Sequence, residues 1–124
     1  MVLNISDPTN LREIGSPDIF NGVAQDVVII SNIAFVAIGG GGLYLINISY
    51  PHNPMVLGVY DTMDYGEEVS ISGQYDYFAN GLRGFIALNI SNSSQPVRVR
   101  TIYILNYVFD VSIKNQYAYL AVAK

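Results

Sequence analysis

The sequence predicts an all-β protein built from a repeated antiparallel unit, and three observations predict it. Two landmarks recur at one spacing: the segments Asp26-Val27-Val28-Ile29-Ile30-Ser31-Asn32, Glu68-Val69-Ser70-Ile71-Ser72-Gly73-Gln74 and Asp110-Val111-Ser112-Ile113-Lys114-Asn115-Gln116 place their acids 42 residues apart. Leu3-Asn4-Ile5-Ser6, Ile46-Asn47-Ile48-Ser49 and Leu88-Asn89-Ile90-Ser91 keep that period to within one residue. A period held by two independent landmarks marks a repeat architecture. Secondly, short apolar and β-branched runs alternate with clusters of Gly, Pro, Asn and Ser, as strands alternate with turns. Thirdly, no run keeps a helical period between helix caps, which argues against a β/α solenoid.

Within one period four strands, a to d, follow in order. In the middle copy strand a is Glu68 to Ser72, and Gly73-Gln74 turns the chain tightly into strand b, Tyr75 to Ala79. Asn80-Gly81-Leu82-Arg83-Gly84 is a hairpin loop leading into strand c, Phe85 to Ile90. Ser91-Asn92-Ser93-Ser94-Gln95-Pro96 forms the next turn, before strand d at Val97 to Tyr103. Each connection is short enough for antiparallel neighbours. Four short antiparallel strands in about 40 residues is the pattern of a β-propeller blade. The Trp-Asp and Gly-His landmarks of WD40 blades are absent, and the chain has no Trp.

Two segments of the first complete copy, Gly42-Leu43-Tyr44-Leu45-Ile46-Asn47-Ile48-Ser49-Tyr50-Pro51 and Pro54-Met55-Val56-Leu57-Gly58-Val59-Tyr60-Asp61, carry a family likeness. They resemble the LVIVD propeller repeat, found in bacterial and archaeal surface and extracellular proteins, and the likeness runs through essentially the whole chain. It departs at Asn4, Asn47 and Asn89, where the family usually has Asp. The resemblance implies a propeller fold and an extracellular or cell-surface location. It implies no reaction, because the family lacks a common catalytic site.

The phase of the repeat divides the single propeller segment of residues 1–124 into four parts. Residues 1–25 supply strands c and d of a split blade, 26–67 and 68–109 are complete blades, and 110–124 supply strands a and b of a split blade. The expectation is that the two ends are complementary halves of one blade, meeting at the b–c hairpin that Gly81-Leu82-Arg83-Gly84 marks in the middle copy. Three blades do not close a ring, since propellers use roughly four to eight. Each open end face then carries on the order of 500 Å² of apolar surface, worth roughly 12 kcal/mol gross at ~25 cal/mol per Å². That equals the whole stability of a domain, so further blades must cover the faces. Either the segment is cut from a longer propeller chain, or two chains join head to tail into a six-bladed ring; an open helical polymer uses the same contact.

Composition bounds the chemistry. With 51% hydrophobic and 13% charged residues, the 124-residue chain has the apolar area to fold. No stretch approaches the ~20 apolar residues of a membrane span, and no basic, then apolar, leader follows Met1. A net charge of -4, with six scattered Lys and Arg, offers no basic stripe for nucleic acid. Cysteine is absent, which removes disulfides, thiolate metal sites and thiol nucleophiles.

Catalytic residues are expected to be absent. His52, the single histidine, lies in the turn Tyr50-Pro51-His52-Asn53-Pro54 with no evident Ser partner, and reads as a solvated turn residue. Gly39-Gly40-Gly41-Gly42 lacks the following Lys and Ser/Thr of a phosphate loop and reads as a b–c hairpin. Asp26, Glu68 and Asp110, one per copy at the start of the innermost strand, are the candidate metal ligands. Carboxylates gathered around a closed channel suit Ca²⁺ or Mg²⁺; the plainer reading has each acid cap a turn or accept a backbone N–H, and no cofactor beyond a possible Ca²⁺ is expected. Asn4, Asn47, Asn89 and Asn92 begin Asn-x-Ser sequons, candidate N-glycosylation sites at positions where Asn also favours the turn. Of the ten tyrosines most are cross-strand packing, while Tyr50, Tyr65 and Tyr107, near loops, are candidates for a flat face binding sugar or protein.

The functional expectation is a non-catalytic structural and recognition segment, self-assembling or continued by further blades, with glycan decoration. The runners-up are a metal-dependent enzyme or ligand-binding ring with acids in its channel, and an intracellular protein-binding scaffold.

Overall fold

Alternating apolar residues between turn formers produce strands throughout. The computed structural model describes residues 1–18, 22–62 and 64–123, and among them there is no helix. The strands are β1 (Val2–Asn4), β2 (Arg12–Gly15), β3 (Val23–Ile30), β4 (Ile33–Gly39), β5 (Gly42–Asn47), β6 (Met55–Tyr60), β7 (Ile71–Ser72), β8 (Tyr75–Ala79), β9 (Phe85–Asn89), β10 (Val97–Ile102), β11 (Val108–Lys114) and β12 (Tyr117–Val122). Two four-stranded antiparallel sheets form, in the orders β3-β4-β5-β6 and β7-β8-β9-β10, with two-stranded sheets β1-β2 and β11-β12. The fold is all-β and built of propeller blades, as the repeat predicts.

The copies share backbone devices as well as strands. Each a–b turn carries one left-handed residue, Ser31 (φ 53°), Gly73 (φ 62°) or Asn115 (φ 55°), which keeps the two-residue reversal tight. The pairing of strands c and d is bulged once in every copy, where the register slips between Val2 and Leu3, between Leu45 and Ile46, and between Arg98 and Arg100. A bulge also precedes the acid of strand a, between Ala24 and Asp26 and between Val108 and Asp110. Such an extra residue bends the strand and re-aims the side chain that follows it. The four glycines make the tight reversal expected: Gly40 and Gly41 connect β4 to β5, and the Gly41 amide donates to the Ile38 carbonyl.

The middle copy departs from expectation in strand a. The sequence predicts a strand over Glu68 to Ser72, yet only Ile71–Ser72 pairs continuously, with an isolated bridge between Glu68 and Ala79. The interruption has a local cause: the Asp76 carboxylate enters the ladder and accepts the Ser70 amide at 3.0 Å, displacing a backbone partner. Strands c and d also stop one residue short of Ile90 and Tyr103.

The core lies between blades. Phe35, Ala37, Leu43 and Leu45 of the first complete sheet meet Val69, Phe78, Ile86, Leu88 and Ile90 of the second. Burying each large side chain contributes about 1.5–3 kcal/mol. A smaller cluster, Ala79, Val108 and Val111 with Tyr77, Phe85, Ile113 and Leu120 beside it, packs β11-β12 on the second sheet.

Candidate functional site

The bulge before strand a turns the acid that follows toward the next blade. Asp26 Oδ1 accepts the amide of Val27 at 2.9 Å, and its Oδ2 accepts the amide of Val69 from the adjoining sheet at 3.1 Å. Glu68 repeats the relation one blade on: its carboxyl lies against the Val111 amide and beside the Asp110 carboxyl. Burial first, then the Asp110 contact, pushes Glu68 up to about 8. Two carboxyls side by side share a proton more readily than they both ionise. The acids therefore form a ladder in which Asp26 and Glu68 each reach forward to the residue after the next acid. Among the described residues no three His, Asp or Glu side chains stand together as a metal-holding group.

Beside the ladder lie two polar residues that the repeat pattern did not single out. Asp76 and Asn80 are fully buried on β8 and its hairpin, at positions held by Ala34 and Ile38 in the preceding copy and Ala118 and Val122 in the following one. Asp76 Oδ2 and both polar side-chain atoms of Asn80 have no protein partner among the described residues. Burial drives the Asp76 carboxyl up to about 8, opposed by the Ser70 amide and assisted by the charge of Asp26. Aligning the copies would have found both residues, as polar intrusions at apolar positions.

The sequons adopt one geometry. Asn4, Asn47, Asn89 and Asn92 each accept the amide two residues on through Oδ1, at 2.9, 2.9, 2.9 and 3.2 Å. This is the Asx turn that closes strand c or starts the reversal into strand d. Asn4 and Asn92 are exposed, while Asn47 and Asn89 are half-buried.

The three tyrosines do not share a face. Tyr65 and Tyr107 both precede a strand a, and Tyr65 adds to the electrostatics of Tyr107. Tyr107 packs against Phe109 with ring centres 4.8 Å apart and its hydroxyl donates to Glu67 Oε1; burial and that carboxylate push it up to about 12. Tyr50 lies in the β5–β6 turn with exposed His52, at the opposite end of the blade from Tyr65, which bridges to Gly39 at the far end of β4.

An apolar groove of about 470 Å³ opens between β1-β2 and the sheet β3-β4-β5-β6, lined by Leu3, Val27, Ile29, Val36, Ile46 and Ile48 among others. The lining positions on the sheet correspond, 42 residues on, to Val69, Ile71, Phe78, Leu88 and Ile90, which are packed within the core of the next seam. Among the described residues β1 pairs only with β2, and β12 only with β11, so each leaves one strand edge free.

Comparison with known proteins follows the same lines. A family model described as LVIVD repeat matches residues 21–62 and 65–102. No curated protein and no solved structure matches the chain.

Proposed function

This chain belongs to the LVIVD-repeat family, and on that premise we propose that it is a non-catalytic assembly and recognition module carried outside the cell. One observation carries the reading: the groove beside β1 presents, uncovered, the apolar positions that the neighbouring seam buries. Val27 and Ile29 are 57% and 60% exposed there, whereas Val69 in the position matching Val27 is 3% exposed. Exposed apolar faces of this kind mark interaction surfaces. The free edges of β1 and β12 add unpaired backbone donors and acceptors on either flank, the usual template for strand addition. Further blades complete both half-blades, whether they come from the same polypeptide or from another.

The exterior location rests on the family and on the four sequons, two of them on accessible turns at Asn4 and Asn92. Intact mass of natural material should show hexose-bearing species, and unmodified asparagines throughout would remove this part.

Backbone hydrogen exchange on native material tests assembly directly. The free-edge amides of β1 and β12 should exchange at least about tenfold more slowly than in isolated peptides. Peptide-like exchange at both edges refutes the reading.

A further inference from the structure

We infer that the hairpin joining β8 to β9, together with the loop that arches around it from β10 to β11, is a docking tip for the surface of a phospholipid bilayer. The inference goes beyond the assembly reading, which concerns the groove beside β1 and the free strand edges, and the two are decided by different measurements.

One hairpin and one loop build the tip. A Cβ on Gly84 would run into the Ile102 carbonyl, and one on Gly81 would lie 3.0 Å from the Tyr107 ring. The loop of residues 103–107 therefore starts against one end of the hairpin and finishes against the other. The Val108 amide fastens it there by donating to the Gly81 carbonyl at 3.0 Å. Ile104 turns inward onto the cluster of Ala79, Val108 and Val111, which sends its neighbours Tyr103 and Leu105 outward. They are 80% and 102% exposed, and Leu82 at the turn of the hairpin is 68% exposed. Arg83, also exposed, follows Leu82.

The exposure belongs to the position in the blade. The preceding blade has a neighbour on either side, through Gly15 against Pro51 and through the core shared with the second sheet. There Gly40 and Asp61 hold the places of Leu82 and Tyr103, and both are exposed. Adjoining blades leave this end of a sheet open. What changes is the chemistry: Gly40, Gly41 and Asp61 give way to Leu82, Arg83 and Tyr103, while Met63 holds the sequence position of Leu105.

Three features select a bilayer over a protein partner. The side chains project from loop ends, whereas the groove beside β1 and a cleft of about 140 Å³ in the next seam are lined by other residues; a peptide takes a recess or a free strand edge. The backbone of the hairpin is already paired, the amides of Asn80, Arg83 and Gly84 donating to the carbonyls of Gly84, Asn80 and Gly81 at 2.9, 2.9 and 3.3 Å. Insertion then strips water from few unpaired polar groups. The residue types also suit the layers of the interface. Leu82 and Leu105 fit the upper acyl region and Tyr103 the headgroup level, and Arg83 has a stem long enough to keep its charge on lipid phosphate. The acids Asp61 and Asp64 in the equivalent loop of the preceding blade oppose anionic lipid, so the contact is apolar in character.

Co-sedimentation with phosphatidylcholine vesicles tests this. Two leucines and a tyrosine give a partition constant on the order of 10³ M⁻¹, below the ~10⁴ M⁻¹ of one myristoyl chain. At about 5 mM lipid most of the wild-type chain should pellet, in about 0.1 M and about 0.5 M salt alike. Leu82→Asp and Leu105→Asp, at exposed sites, should keep the circular dichroism and each lower the partition constant at least about tenfold. Val99→Asp on β10, 59% exposed, should leave it unchanged. The chain has no Trp, so Leu105→Trp makes a single reporter. Its emission should shift to the blue on vesicles and be quenched by lipid brominated in the acyl chain, and that of Val99→Trp should do neither. Wild-type chain that stays in the supernatant overturns the inference and hands the tip to a protein partner. Binding that survives both Asp substitutions together, or that is lost at the higher salt, overturns it as well. Protected β1 and β12 amides would keep the assembly reading in force whichever way the vesicles decide.

Discussion

The Asp26 carboxylate accepts the Val69 amide across the seam between the two complete blades, at 3.1 Å. The same side chain holds Val27 of its own strand, so one half-buried group ties two sheets together. Asp26→Ala should cost about 2 kcal/mol, the range of hydrogen bonds to a charged acceptor. Asp26→Asn should cost less, since one acceptor oxygen survives. Urea unfolding checks both, with a lowered midpoint and an unchanged slope.

Buried Asp76 should make stability fall as pH rises. In the folded chain the group keeps its proton up to about 8, whereas its ordinary value is 3.8. Between those values the folded state binds more protons than the unfolded one, so the stabilisation is complete below about pH 4 and is lost as pH climbs toward 8. Glu68, pushed the same way, adds to the trend. Asp76→Ala, the residue at the matching positions 34 and 118, should remove roughly half of the slope, leaving the part due to Glu68, and raise stability at pH 8.5 by a few kcal/mol. Urea midpoints at pH 5 and 8.5 decide it, and a wild-type midpoint that rises over that interval contradicts the assignment.

Two glycines of the first b–c hairpin separate backbone strain from crowding. Gly40 (φ 81°) and Gly42 (φ 87°) are both left-handed. A Cβ at Gly40 meets nothing within 4 Å, but at Gly42 it would lie 2.0 Å from the Tyr60 carbonyl. Gly40→Ala should cost about 1 kcal/mol and Gly42→Ala at least about 3 kcal/mol, read as a difference in melting temperature.

Among the described residues Phe78 is the largest wholly buried side chain, and it sits in the seam between the complete blades. Phe78→Ala should cost about 3–5 kcal/mol. Phe109→Ala, at a 53% exposed ring, should cost under about 1 kcal/mol by the same measurement.

Asp26 and Glu68 each meet a backbone amide of the following blade, and among the described residues no three acids stand together. Millimolar Ca²⁺ should accordingly leave the melting temperature of the chain where it is, and a rise of several degrees would support the channel-ion reading for Asp26, Glu68 and Asp110.

The period and the strands were legible because alternation and turn chemistry are local: Gly73-Gln74 and Asn80 to Gly84 mark reversals on their own. The asparagine turns were legible for the same reason, as Asn47 with Ser49 shows. The carboxylate ladder was not, because which amide Asp26 meets depends on the distance between blades, which no spacing along the chain encodes. Nor was the burial of Asp76, since Tyr75-Asp76-Tyr77 alternates as an exposed polar residue between packed aromatics would. The placing of Tyr50 apart from Tyr65 and Tyr107 follows from strand direction, a property of the sheet.

Because Asp26 and Glu68 both reach forward to the next blade, the array has a direction, like a row of hooks each catching the eye ahead. Any excised length of about 42 residues, wherever its cut points fall, contains one hook and one eye. Duplicating or deleting such a length leaves every acid inside the row with an amide to meet. Copy number can therefore change by whole blades without breaking the acid-to-amide relation at the joint.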